Sequence, residues 1–162
     1  MKNLFKIVAG LFLSLSIASC SKSDPVTPYT AAADTVVMYK ATLSGTNEST
    51  PNASTAVGTG MLSFNSTTKI FTLTVTHTLA TASMGHIHKG AVGVAGGVIF
   101  PLGSGTITSP ISFTSPVLDA TQQSDLLANL YYVNIHSTAF PGGEIRGQLL
   151  QQTSSSTSGT GY

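Results

Sequence analysis

The sequence predicts an all-β domain, an antiparallel β-sandwich or Greek-key barrel carrying one short helix, and three observations support that class. β-Branched side chains outnumber good helix formers in most segments, and charged residues make up only 8% of the chain. Apolar and polar residues alternate over short runs, the period of a strand with one wet face. Seven or eight such runs are separated by Gly-, Pro- and Ser-rich turns. The chain of 162 residues is the size of one domain and leaves no room for a second core.

The elements follow in order. In VVMYKATLSG, Val37, Tyr39, Ala41 and Leu43 share one phase, as in a half-buried strand. GTGMLSFN, STT and KIFTLTVTHTL read as a hairpin in which Leu62, Phe64, Phe71, Leu73, Val75 and Leu79 point inward and Thr72, Thr74 and Thr76 outward. His77 falls in the inward phase, as a core or strand-end histidine. GHIHKG carries a strand with Ile87 inward, and GGVIFPL, residues 96 to 102, is a short apolar strand. ISFTSPVL supplies another, which Pro116 assigns to a sheet edge. The helix is DATQQSDLLANL, where Asp119 and Gln122 have the spacing of a capping box. Two closing strands, LYYVNIH and GEIRGQLL, are joined by STAFPG.

The ends differ in composition from this body. MKNLFKIVAGLFLSLSIASC has Lys2 and Lys6, then an apolar run from Ile7 to Ile17 too short to span a bilayer, then small residues, as in an export signal. Ile17, Ala18, Ser19 and Cys20 resemble a bacterial lipobox, which implies cleavage before Cys20 and acylation of its sulfur and of the new amino terminus. Several acyl chains give stable anchoring, so the expected location is a bacterial outer membrane or cell surface, with the membrane a partner through lipid alone. Cys20 is the only cysteine, which excludes an intramolecular disulfide. The expected organisation is a signal at 1–19, a Pro-, Ser- and Ala-rich tether at 20–35, a folded domain at 36–150 and a disordered polar tail at 151–162. Without Lys2 and Lys6, five basic residues face six acidic ones, so nucleic acid has no basic surface to bind.

Strand alternation fixes where the chemistry-bearing side chains go. With Tyr131, Val133 and Ile135 inward, Tyr132, Asn134 and His136 turn outward. With Ile145, Gly147 and Leu149 inward, Glu144, Arg146 and Gln148 turn outward, and His86 and His88 lie opposite Ile87. All of these share one surface if the HIH strand lies beside the closing hairpin. His86 and His88 have the spacing at which two imidazoles converge on one ion, His136 is a third candidate ligand and Glu144 a fourth, a set suited to zinc or copper. The competing reading makes Glu144 and Arg146 an exposed ion pair, with the histidines bonding to backbone. Gly90, Gly93, Gly96 and Gly97 are expected to supply positive φ in a tight loop, and Pro141, Gly142 and Gly143 to turn the last hairpin. The loop has no following helix and no Lys-Ser/Thr pair, which excludes a nucleotide-phosphate site. Three N-x-S/T sites, at Asn47, Asn52 and Asn65, fall within a Ser/Thr-rich chain as chance matches.

YKATLSGTNESTP, GHIHKGAVGVAGGVIFPL and LYYVNIHSTAFPGGEIRGQLL resemble the three hallmark segments of the CHRD domain, named after chordin, over about Val37 to Leu150. The last segment is the most specific. The family pattern falls on Glu48, on His86, His88 and Gly90, and on Asn134, His136, Pro141, Gly142, Glu144, Arg146, Gly147 and Gln148. NESTP departs from it, since the family usually has two adjacent prolines there. The resemblance implies an immunoglobulin-like β-sandwich and no established catalytic activity. The expected function is therefore a non-enzymatic, lipid-anchored envelope module that contacts an envelope protein or glycan. The alternative is a mononuclear zinc or copper domain. A hydrolase is disfavoured, because acids are few and no serine sits in a nucleophile-elbow context.

Overall fold

The computed structural model describes residues 35–153. The export signal, Cys20, nearly all of the tether and most of the expected tail lie outside the described residues. The order of elements is β1 (Val36–Ser44), β2 (Val57–Asn65), β3 (Ile70–His77), β4 (Ala82–Lys89), β5 (Val98–Ser104), β6 (Ile111–Thr114), α1 (Ala120–Leu127), β7 (Tyr131–Ser137), β8 (Ile145–Gln148) and β9 (Leu150–Gln151). A 3-10 turn, Gly45–Asn47, follows β1.

All the described strands join one antiparallel sheet in the order β5-β4-β7-β8-β1-β2-β3-β6, with β9 added beside β1. The HIH strand β4 therefore pairs with β7, and β7 with β8. The sheet curls until its ends meet: the Phe100 ring of β5 and the Phe113 ring of β6 lie 5.9 Å apart. Of the two architectures expected, the sheet comes nearer the barrel, nearly closed and joined by side chains rather than by hydrogen bonds between β5 and β6. Register shifts in β4 at Gly85/His86, Ile87/His88 and Ala82/Met84 add local twist on the side that must bend.

The interior is the inward phase of the strands. Tyr39, Ala41, Leu43, Leu62, Phe64, Phe71, Leu73, Val75, Ile87, Val133 and Ile135 are buried in one cluster, with Leu79 partly buried against it. Phe71 meets Phe100 edge-on at 5.5 Å, and Phe100 meets Tyr131 in the same manner. Among the described residues β6 pairs only with β3, as Pro116 just beyond it suggested. The capping box of α1 is complete: Gln122 N donates to Asp119 Oδ1 at 2.8 Å, and Asp119 N donates to Gln122 Oε1 at 3.1 Å. Leu118 and Leu126 then seal the core from this segment. Pairing continues past Leu150, where the domain was expected to end. Gln151 stands opposite Tyr39, and Gln152 N donates to Met38 O.

Phe71 touches both strands at the closure, so Phe71→Ala leaves a cavity where the barrel ends meet. Urea denaturation should show a loss of about 3 to 5 kcal/mol.

Candidate metal centre

β7 sits between β4 and β8, and its register fixes two rows on the side facing away from the barrel interior. His86, Asn134 and Arg146 form one; His88, Tyr132 and Gln148 form the next. Met84 stands opposite His136. The sequence places these residues on an open surface, and here the structure differs. Every residue of β7 is buried; Tyr132, Asn134, His136 and Arg146 are 2%, 5%, 7% and 2% exposed. The reason is that two connections fold back over the sheet, residues 45–56 from β1 to β2 and residues 90–97 from β4 to β5.

The second connection is bolted down by the polar row. Arg146 Nη2 donates to Ala91 O at 3.0 Å and to Val94 O at 2.8 Å. Its guanidinium carbon lies 3.4 Å from the Tyr132 ring centre, and the other face of that arrangement is completed by His88, stacked on Tyr132 at 5.0 Å and 7°. Gly96 N donates to the Tyr132 hydroxyl, while Gln148 Nε2 donates to Gly90 O and Asn129 O. Of the glycines expected to turn the chain, Gly93 and Gly143 have positive φ, whereas Gly90, Gly96, Gly97 and Gly142 do not. At Gly96 the requirement is space, because a Cβ would run into Lys89 O.

Three imidazoles converge beside this stack. His86, His88 and His136 each offer a ring nitrogen, and these three atoms lie within 4.8 Å of one another. His86 Nδ1 is 3.1 Å from His136 Nε2. The second nitrogens are committed to backbone: His88 Nδ1 bonds Gly96 O at 2.9 Å, and His136 Nδ1 bonds Pro141 O at 3.0 Å. Donation to a carbonyl fixes the proton on Nδ1 and leaves Nε2 as a lone pair aimed into the cluster. His88 Nε2 is buried and, among the described residues, has no hydrogen-bond partner. Burial, reinforced by the neighbouring His136 and His88, lowers the His86 pKa; burial also lowers that of His88, against the pull of its bond to Gly96. Both rings are thereby kept in the neutral form that a metal requires.

Glu144 is not among the converging groups. Its Oε1 accepts from Ser54 Oγ at 2.7 Å, and Asn52 Nδ2 donates to its backbone carbonyl at 3.1 Å. Nor does it pair with Arg146: among the described residues the ion pair is Lys89 with Asp125, at 2.7 Å. The carboxylate facing Arg146 is that of Glu48, which is 7% exposed and accepts from Asn134 Nδ2 at 3.4 Å. Gly143, at φ +130, lies against both, since a Cβ there would come within 2.8 Å of Asn134 and Glu48 atoms. Desolvation pushes the Glu48 carboxyl up to about 7, against the opposing effects of Arg146 and Asn134.

The segments that build this covered face are those on which a family model for the CHRD domain matches, residues 39–149. The chain belongs to the CHRD domain family. Comparison with curated proteins and with solved structures gave no match. Within the CHRD domain, the hallmark residues have distinct jobs: Arg146 and Gln148 hold the 90–97 connection, Asn134 and Glu48 hold the 45–56 connection, and His136 grips Pro141. Sequence reasoning missed Asn52 and Ser54, which reach across to Glu144. Their signal was present as the N-x-S/T tripeptide, an Asx-turn pattern in which Ser54 N donates to Asn52 Oδ1.

Glu48 gives the domain a pH signature. An acid raised in the fold from 4.5 to about 7 contributes stability that is complete below the lower value and is lost as pH rises through the higher. Glu48→Gln removes that loss. In thermal melts the variant should gain on wild type between pH 5.5 and 8.5 by on the order of 5 °C.

Proposed function

We propose that this CHRD domain is a non-enzymatic binding module of the bacterial cell envelope that holds one zinc or copper ion between His86, His88 and His136. The observation that carries the reading is the buried Nε2 of His88, without a hydrogen-bond partner among the described residues, on a ring that converges with those of His86 and His136. A buried lone pair without a donor costs about 1 to 3 kcal/mol, and an ion would relieve that cost. The donor chemistry fits, because all three ligands are imidazoles and two are oriented by backbone carbonyls. A bound ion would pin β4 to β7 and stabilise the covered face for contact with an envelope protein or glycan. Anchoring rests on the export signal and the lipobox ending in Cys20.

Two experiments test the two halves. Protein purified without chelator should carry close to one equivalent of metal by elemental analysis, and His86→Ala with His88→Ala should lose it while retaining the fold. Metal-free wild-type protein that acquires none from added zinc or copper would remove the metal half. For the anchor, Cys20→Ala should move the protein from the membrane pellet to the soluble fraction. An unchanged distribution would count against lipidation.

A further inference from the structure

We infer that the ion selected by this centre is copper in its cuprous state, with the Met84 thioether as a fourth donor beside the three imidazoles. The inference rests on the metal reading above and names its ligand.

Charge sets the first preference. Among the described residues the converging donors are three histidines. The two nearby carboxylates are drawn to other partners, Glu144 to Ser54 and Glu48 to Asn134 and the Arg146 guanidinium. A ligand set of imidazoles brings no negative charge to offset the ion. The closest fixed charge in the stack is positive: the Arg146 guanidinium lies on Tyr132, which lies on His88. A dication placed here meets twice the repulsion that a monovalent ion meets, and loses more hydration on burial. With no carboxylate among the donors, burial here costs a singly charged ion less than a dication.

Donor softness adds a second preference. Met84 is two residues before His86 on β4; Gly85 and Ile87 are buried toward the interior between and after them, so alternation puts Met84 on the same side as His86 and His88. It is half-buried, and it stands directly opposite His136 in the β4–β7 register. Opposed residues in an antiparallel pair have Cβ atoms about 4.5 to 5.5 Å apart, a separation that an unbranched thioether side chain spans. Thioether sulfur is a soft donor that selects cuprous copper and offers little to zinc.

The test uses the full-length chain extracted in detergent. Under anaerobic conditions, competition with a cuprous chelator and, separately, with a zinc-responsive dye gives the two affinities for wild type and for Met84→Leu. The variant should lose about tenfold or more in cuprous affinity and keep its zinc affinity. X-ray absorption of the copper-loaded wild type should show a sulfur scatterer alongside nitrogen, and that shell should vanish in Met84→Leu. A nitrogen-only shell in wild type, or equal cuprous affinity in the two proteins, overturns the role of Met84 while leaving a metal site in place. Failure of wild type to bind either ion instead overturns the metal reading itself.

Discussion

The structure depends on one constraint, that strand β7 is buried on both of its faces. Its inward side chains, Tyr131, Val133 and Ile135, close the apolar core. Its other row, Tyr132, Asn134 and His136, is polar and equally covered. Buried polar groups are tolerated only when paired, and a buried guanidinium least of all when it is not. The pairing groups come from connections that arch back over the sheet. Arg146 fastens one of them through Ala91 and Val94, and Asn134 with Glu48 fastens the other. These contacts specify a conformation of two loops that have little hydrophobic reason to lie where they do.

The histidine cluster is a consequence of that fastening. Gly96 O, presented by the 90–97 connection, accepts from His88, while Gly96 N donates to Tyr132. Pro141 O, from the β7–β8 turn, orients His136. Backbone carbonyls thus choose the tautomers, and the remaining nitrogens meet because β4 and β7 are neighbours. The same stack that holds the loop puts a positive charge near the ring cluster, which among the described residues has no carboxylate as a converging member. Loop anchoring and ligand character are therefore set by the same residues.

Much of this was legible in the sequence, and the rest was hidden for physical reasons. A period of two assigns Leu62, Phe71, Ile87, Val133 and Ile145 to the core, and the same rule turns His86, His88 and His136 the other way. The Asp119–Gln122 box is local, so spacing alone reveals it. Alternation says which side of a strand a residue takes but not whether a loop covers that side. GAVGVAGG has no hydrophobic pattern that announces packing, and only the partners of Arg146 disclose it. Glu144 shares a face with the histidines, yet Ser54, 90 residues earlier in the chain, claims its carboxylate. Barrel rather than sandwich was likewise undetermined, since closure rests on Phe100 meeting Phe113 across two strands that never pair.

The ring tautomers in metal-free protein test most directly whether loop carbonyls orient the histidines. Long-range proton–nitrogen correlation spectra report which nitrogen of each imidazole carries the proton. Loop carbonyls that orient the cluster require His88 and His136 both to be protonated at Nδ1, with Nε2 as the bare lone pair. Spectra showing the proton on Nε2 of His88, or both rings averaging freely between tautomers, would contradict that orientation.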